Sequence, residues 1–510
     1  MSVSVRTTVD DRSTPVPTAS GSATVSVTLT RASQAAEPVL RALASRAGCL
    51  EVRADLVGDL DPDRLRRHFG GELLYSLRGA EQGGMFRGSL DERHARLLAA
   101  AGHYDLVDLE ECDLVPELLG HIRPEARRIS WHGPATDLAA LRATLARLRV
   151  ARARLYLVAP AITRAEQALV PLAFLKEVGR RDLTAFGTGA AGTWSRLLAP
   201  WLGAPVIYGR IDAGPDTGIP TVDQLVGDYG FPRLRPLRSL YGIIGRSVSR
   251  SLSPRLHNAG YRELDLPALY LPFQVEEFGP FWREVAERGL AALGIPLDGA
   301  TVVAPHKETA LRLAATRTVS ARDSGSANSL VRSGRHWRAA TSNSPAVVTA
   351  LARAGVQVAH RRVAVVGCGG AGRAAAAALR QAGAEPTLVN RGSQRGRDAA
   401  ALLGLPFVLL GDFDPAGFSV VVHATPLTQT VPFRVGDLPG DAAVLDMVYA
   451  PEDTALVTAA RDRRLTVIDG WDVLLADASC QFRLMTGREM PASRARDLLR
   501  EARSARRAGR

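Results

Sequence analysis

The chain has 510 residues, 47 of them glycine, with 46% hydrophobic and only 5% aromatic side chains, which fits about three soluble α/β domains each with its own core. Its formal charge of +12 rests almost wholly on dispersed arginines, with Lys176 and Lys307 the only lysines and no basic stripe interleaved with aromatics, so no nucleic-acid partner is expected. Cys49, Cys112, Cys368 and Cys480 form no metal-ligand or redox spacing, and no apolar run reaches bilayer length, so the expectation is a reduced, cytoplasmic protein without a metal or a membrane partner.

Residues 1–21, rich in Ser, Thr, Val and Pro, read as a disordered leader. From 22 to 225, β-rich runs alternate with helical stretches: Thr24 to Leu29, Cys49 to Arg53, Glu72 to Leu77, Tyr104 to Glu110, Arg128 to Trp131, Arg154 to Val158, Leu183 to Phe186 and Pro205 to Tyr208. Eight such repeats predict a (β/α)8 TIM barrel, and polar residues gather where its strands end: Glu51, Arg53, Arg78, Glu110, His132 and Arg196. Residues 226–240 carry prolines and arginines without periodicity and read as a linker. An α/β substrate domain is expected over 241–342, a Rossmann domain over 343–470, a helical segment over 471–490 that packs back on the substrate domain, and a basic tail over 491–510 forming a frayed helix.

The most informative stretch is Val363-Ala-Val-Val-Gly367, an apolar strand running into Gly367-Cys-Gly369-Gly370-Ala371-Gly372 and an Ala-rich helix. Glycines there allow a tight turn, close approach of a pyrophosphate to the backbone, and close packing of helix on strand. A second strand, Pro386-Thr-Leu-Val-Asn390, follows at the expected distance. Its end carries Asn390-Arg391 where an NAD site places an acid, and an arginine suits a 2′-phosphate, so the expected cofactor is NADP.

Tyr241-Gly-Ile-Ile-Gly, Ser251-Leu-Ser253-Pro254-x-x-His257-Asn258, Pro305-His306-Lys307, Gly325-Ser-Ala-Asn328-Ser329 and Asp446-Met-Val-Tyr449-x-Pro451-x-x-Thr454 occur in the order of the shikimate dehydrogenase family, which residues 241–487 resemble. That resemblance implies reduction of 3-dehydroshikimate with NADP. It gives substrate contacts to Ser251, Ser253, Asn328, Tyr449 and Asp477, proton transfer to Lys307 and Asn343, and cofactor contacts to Gly367, Gly369, Gly370, Ala371, Gly372, Asn390 and Arg391. Residues 24–225 resemble type I 3-dehydroquinate dehydratase through Glu51-Val-Arg53-Ala-Asp55, Arg78, Tyr104-x-x-Val-Asp108-x-Glu110, Ser130-x-His132 and Ser195-Arg196. By that resemblance His132 is a proton-transfer residue, and Glu51, Arg53, Arg78 and Arg196 bind substrate.

Both halves depart from their families at reactive positions. Type I dehydratases form an imine through a lysine on the sixth strand, where Arg154-Leu-Tyr156-Leu-Val158 places Tyr156 instead, and a residue without an amine cannot act as that electron sink. The dehydrogenase family pairs its lysine with an aspartate; here Thr341-Ser342-Asn343 supplies an amide, which holds a hydroxyl but cannot accept its proton. Asp477 stands where that family has a glutamine, His423 where it has an asparagine, and Thr301 and Val303 are also changed. The reading is an NADP-dependent oxidoreductase of a cyclic hydroxy acid fused to a barrel that lacks its imine-forming lysine. A dehydrogenase of a related acid such as quinate, a sensor that binds without turnover, and a homodimer all stay open.

Overall fold

The computed structural model describes residues 21–212, 217–450 and 452–508. The leader read over 1–21 therefore lies outside the described residues except for Gly21, and so does Pro451 of the Tyr449 motif.

Eight parallel strands form the first unit: β1 (Thr24–Leu29), β2 (Cys49–Arg53), β3 (Glu72–Ser76), β4 (Leu106–Leu109), β5 (Arg127–Trp131), β6 (Leu155–Val158), β7 (Leu183–Ala185) and β8 (Val206–Arg210). They are hydrogen-bonded in the order β7-β6-β5-β4-β3-β2-β1-β8, a near-closed TIM-like barrel. Among the described residues the β7–β8 seam has no ladder, and the rings of Phe186 and Tyr208 span it with centroids 6.0 Å apart. Alternate side chains of a strand point to opposite faces. On β6 this sets Leu157 into the barrel mouth with Ala159 beyond it, while Tyr156 turns outward, donates its hydroxyl to Ala151 O at 2.8 Å and lies under Arg180. Tyr156 therefore does not occupy the mouth position assigned to it from sequence.

Residues 226–240 are not a free linker. Phe231, Leu234 and Leu237 are buried, the short strands Gly21–Ser22 and Arg233–Leu234 pair antiparallel, and Trp201 Nε1 donates to Arg235 O at 2.8 Å.

The second unit holds β9 (Ser239–Gly245), α1 (Ser253–Glu263), β10 (Ala268–Gln274), β11 (Leu297–Val302), α2 (Lys307–Leu313), β12 (Thr316–Arg317), β13 (Ser329–Ser333) and β14 (His336–Ala340). Its sheet order is β10-β9-β11-β13-β14-β12, with β13 antiparallel to both its neighbours. One face of this sheet shares a continuous core with the barrel: Trp194, fully buried, sits with its ring centroid 5.5 Å from that of Phe273 on β10.

The third unit follows α3 (Asn343–Arg353). β15 (Arg362–Val366), α4 (Gly370–Gln381), β16 (Glu385–Asn390), β17 (Phe407–Leu409), β18 (Val420–His423), β19 (Ala443–Asp446) and β20 (Thr466–Ile468) build an all-parallel sheet in the order β17-β16-β15-β18-β19-β20. This is the doubly wound dinucleotide topology, whose ligand crevice opens between β15 and β18. Helix α5 (Gly470–Thr486) returns to the second unit and buries Phe482 against Tyr261 of α1. The basic C-terminal stretch is not frayed. It forms α6 (Ala492–Ala508), which buries Ala495, Leu498, Leu499 and Ala502 in the core between α1 and α5.

Candidate active site

The cleft between the second and third units collects the dehydrogenase-like residues. Lys307 begins α2, half-buried, and its Nζ donates to Asn343 Oδ1 at 3.0 Å at the start of α3. The other end of the same amide faces Asp477 on α5: Asn343 Nδ2 donates to Asp477 Oδ1 at 3.3 Å. Ser342 Oγ donates to that oxygen at 2.5 Å, Asn328 Nδ2 approaches it at 3.5 Å, and Gln481 Nε2 donates to Oδ2 at 2.7 Å. Burial pushes the Lys307 ammonium below its usual range while the charge of Asp477 opposes that shift. Burial likewise raises the Asp477 carboxyl, against its Ser342 hydrogen bond and the Lys307 charge.

From there the polar chain runs on through Thr301, whose Oγ1 donates to Gln481 Oε1 at 2.9 Å and accepts from Tyr270 OH at 2.7 Å. Ser253 opens α1, with its N–H on Ser251 Oγ at 3.2 Å. His257 stacks on Tyr270 with ring centroids 4.2 Å apart, and burial lowers its pKa to about 3, so it is a neutral packing ring. Asn328 is saturated within the protein: its Oδ1 accepts from Ser342 N at 2.7 Å and from Ser329 Oγ at 3.2 Å. Tyr449 lies edge-on to Trp471, centroids 6.0 Å apart. Tyr270, Ser342 and Gln481 were not singled out from sequence, since each sits in an apolar or small-residue run and only the tertiary fold joins them.

The glycine turn fits a dinucleotide. Gly367 has φ +115°, which an L side chain rarely adopts, and a Cβ there would press on Ala424 O. A Cβ at Gly372 would overlap Gly367 O, whereas the space around Gly369 is open to a ligand. The amides at the start of α4 lack a side-chain cap and point towards that space. Asn390 Oδ1 accepts from Cys368 N at 3.2 Å and fixes the turn, and Arg391 is exposed beside it. A Cβ at Gly370 would meet Lys307 Cδ at 3.5 Å, which places the turn beside the lysine. Beneath, His423 Nδ1 and Asp446 Oδ1 are 3.0 Å apart and fully buried, and the opposite imidazole nitrogen meets Thr425 Oγ1.

The barrel mouth is a cavity of about 450 Å3 lined by Glu51, Arg53, Arg78, His132, Leu157 and Arg196 among others. Arg128, fully buried beneath it, bonds Glu51 at 2.6 Å and Asp108 at 2.8 Å. Burial alone would raise Glu51, but the charges of Arg128 and Arg78 prevail and bring its carboxyl to about 2. Arg53 is paired with Asp55 through two 2.7 Å bonds. Arg196 has no carboxylate partner among the described residues; its Nε is unsatisfied, its guanidinium lies 4.1 Å from the Phe186 ring centroid, and burial lowers its pKa to about 10. Burial and the surrounding arginines push His132 well below its usual pKa, so it is neutral, with Nδ1 unsatisfied. Glu110 does not join this group: it accepts from Gly79 N at 2.9 Å and faces Arg93. Lys176 is on the outside, its Nζ on Ala292 O at 3.0 Å.

A dinucleotide turn beside a half-buried lysine–amide–carboxylate chain defines a nicotinamide-type oxidoreductase module, and comparison with known proteins gives its lineage. The type I 3-dehydroquinase family model matches residues 23–233, and that of the shikimate dehydrogenase substrate-binding domain matches 243–330. A shikimate dehydrogenase (NADP(+)) of Halobacterium salinarum is 39% identical over 267 residues, covering 51% of this chain and 98% of that protein. The chloroplastic bifunctional 3-dehydroquinate dehydratase/shikimate dehydrogenase of Arabidopsis thaliana is 26% identical over 328 residues, 59% of this chain and 53% of that one. A crystal structure of shikimate 5-dehydrogenase from Thermus thermophilus with NADP(H) and shikimate is 27% identical, covers 52% of this chain and 100% of its own, and has a TM-score of 0.47. The chain belongs to the shikimate dehydrogenase family, joined in one polypeptide to a barrel that the type I 3-dehydroquinase family model matches.

Proposed function

We propose that the C-terminal half is an NADP-dependent oxidoreductase of shikimate and 3-dehydroshikimate. The observation that carries this is the Lys307 amine, held on Asn343 at 3.0 Å and adjoining the Gly370 end of the dinucleotide turn. Gly367, Gly369, Gly370, Ala371, Gly372 and Asn390 cradle the cofactor, with Arg391 on the 2′-phosphate. When bound, the nicotinamide supplies a hydride acceptor. Lys307 Nζ, in its neutral form, takes the hydroxyl proton during oxidation and returns it during reduction. Ser251 and Ser253 hold the ring carboxylate. A related acid such as quinate is the second reading, favoured by Thr301, whose hydroxyl is committed to Tyr270 and Gln481. Reduction of NADP+ is measured with shikimate, quinate and other cyclic acids, for wild type and Lys307→Ala. Turnover with shikimate that Lys307→Ala abolishes is expected; turnover with another acid alone selects the second reading; full activity of Lys307→Ala overturns both.

The barrel, on this reading, binds a cyclic carboxylate such as 3-dehydroquinate without imine chemistry. Leu157 of β6 and Ala159 just beyond that strand line its mouth, and neither lysine of the chain reaches it, since Lys176 is outside and Lys307 is in the other half. Borohydride treatment with 3-dehydroquinate, followed by intact mass, is expected to leave no adduct. An adduct on Lys176 would refute this placement.

A further inference from the structure

The resemblance implies a carboxylate at position 343 and an amide at 477; this chain has Asn343 and Asp477, the two side-chain types the other way round. The geometry shows what the exchange preserves. Asn343 is oriented by two unambiguous neighbours: the Lys307 ammonium only donates, so it takes Oδ1 at 3.0 Å, which turns Nδ2 towards Asp477 Oδ1 at 3.3 Å. Asp477 is in turn held by Ser342 at 2.5 Å and Gln481 at 2.7 Å, so its charge is fixed in place rather than free to swing to a ligand. No direct Lys307–Asp477 ion pair forms within 4 Å among the described residues.

We infer that Asp477 is the displaced charge partner of Lys307, a positioning residue that acts across the Asn343 amide. The inference rests on Lys307 as the proton-transfer group of the proposed function. The hydroxyl proton goes to Lys307 Nζ and no further, because an amide cannot pass it on to the carboxylate. Asp477 instead stabilises the ammonium so formed and, through Asn343, aims the amine. The opposed shifts of the two groups, each coupled to the other, agree with this arrangement. The other titratable groups that sense Asp477 are Tyr270 from β10 and Cys480 from its own helix; neither is a cation that could replace Lys307.

A single Asn343→Asp change is therefore not a repair. It sets a second carboxylate about 3 Å from Asp477, and two such groups share one proton. With only two lysines in the chain, 13Cε-lysine labelling of the full-length protein gives two titrating signals, assigned by Lys176→Arg. Asp477→Asn is expected to lower the Lys307 pKa by about one unit or more. The double variant Asn343→Asp/Asp477→Gln, which keeps one carboxylate if Asp477→Asn fails to fold, is expected to hold Lys307 at or above its wild-type value. In the shikimate and NADP+ assay, where Lys307 must be neutral to take the proton, the ascending acid limb of the kcat profile moves to lower pH in Asp477→Asn and back in the double variant. An unchanged Lys307 titration in Asp477→Asn, or a lowered one in the double variant, overturns the inference. Absence of shikimate turnover together with the expected titrations overturns the proposed substrate and leaves the charge exchange standing.

Discussion

Arg196 offers a test in which stability and ligand binding move in opposite directions. The residue is 5% exposed, lacks a carboxylate partner among the described residues, and is held at about 10 instead of 12.5. A cation whose folded pKa is depressed is penalised at every pH below that value, here by about 3 kcal/mol at neutral pH. Its stacking on Phe186 at 4.1 Å returns about 1 to 2 kcal/mol, so Arg196→Leu should stabilise the empty protein by about 1 to 2 kcal/mol, which for two halves that melt as one unit is roughly 1 to 2 °C in Tm. The same change removes a desolvated guanidinium from the mouth and with it the attraction for a carboxylate. Thermal unfolding of the full chain with and without 3-dehydroquinate reads both effects. Wild type should melt lower and rise with ligand; the variant should melt higher and stay there. The reasoning is refuted by a variant that melts lower than wild type and still rises with ligand, because the guanidinium would then be a structural residue with its charge satisfied.

Trp194→Ala should cost about 3 to 5 kcal/mol and lower a single unfolding transition of both halves, because this side chain bridges the barrel and β10; calorimetry that resolves two independent peaks contradicts the shared core. Arg391→Ala should weaken NADP+ binding about tenfold to a hundredfold and leave NAD+ unchanged by titration, and equal wild-type affinity for both cofactors defeats the 2′-phosphate assignment. Glu51, at about 2 in the folded chain against 4.5, supplies stability present above pH 4.5 and lost as pH falls through about 2, worth about 3 kcal/mol. Denaturant midpoints measured across that interval should fall in wild type and fall less in Glu51→Gln.

The barrel strands were legible because each is a short apolar run bounded by turn residues, but the direction of a side chain within such a strand was not. In β6 both faces are buried, one by the barrel interior and one by the surrounding helices, so Leu155-Tyr-Leu-Val158 shows no polar alternation to say which residue looks inward. That is why Tyr156 was set in the mouth and Leu157 overlooked. In α6 the inward stripe Ala495, Leu498, Leu499, Ala502 is present at helical spacing, yet dense arginines around it suggested a solvated tail. The departures at Asn343 and Asp477 were each legible in the sequence, but their contact needed the fold, since 134 positions separate them. One feature of composition runs through both halves. Arginine stands wherever a fixed positive charge suffices, as at Arg53, Arg78, Arg128 and Arg196 in the barrel, and it can bind an anion there but cannot give up its proton or form an imine. The one lysine amine beside the glycine turn is the half-buried Lys307, and on the proposed function the groups around it tune its proton. On the proposed reading, proton transfer by a lysine amine therefore belongs to the C-terminal half, and the barrel mouth, which holds the His132 imidazole but no lysine, lacks imine chemistry.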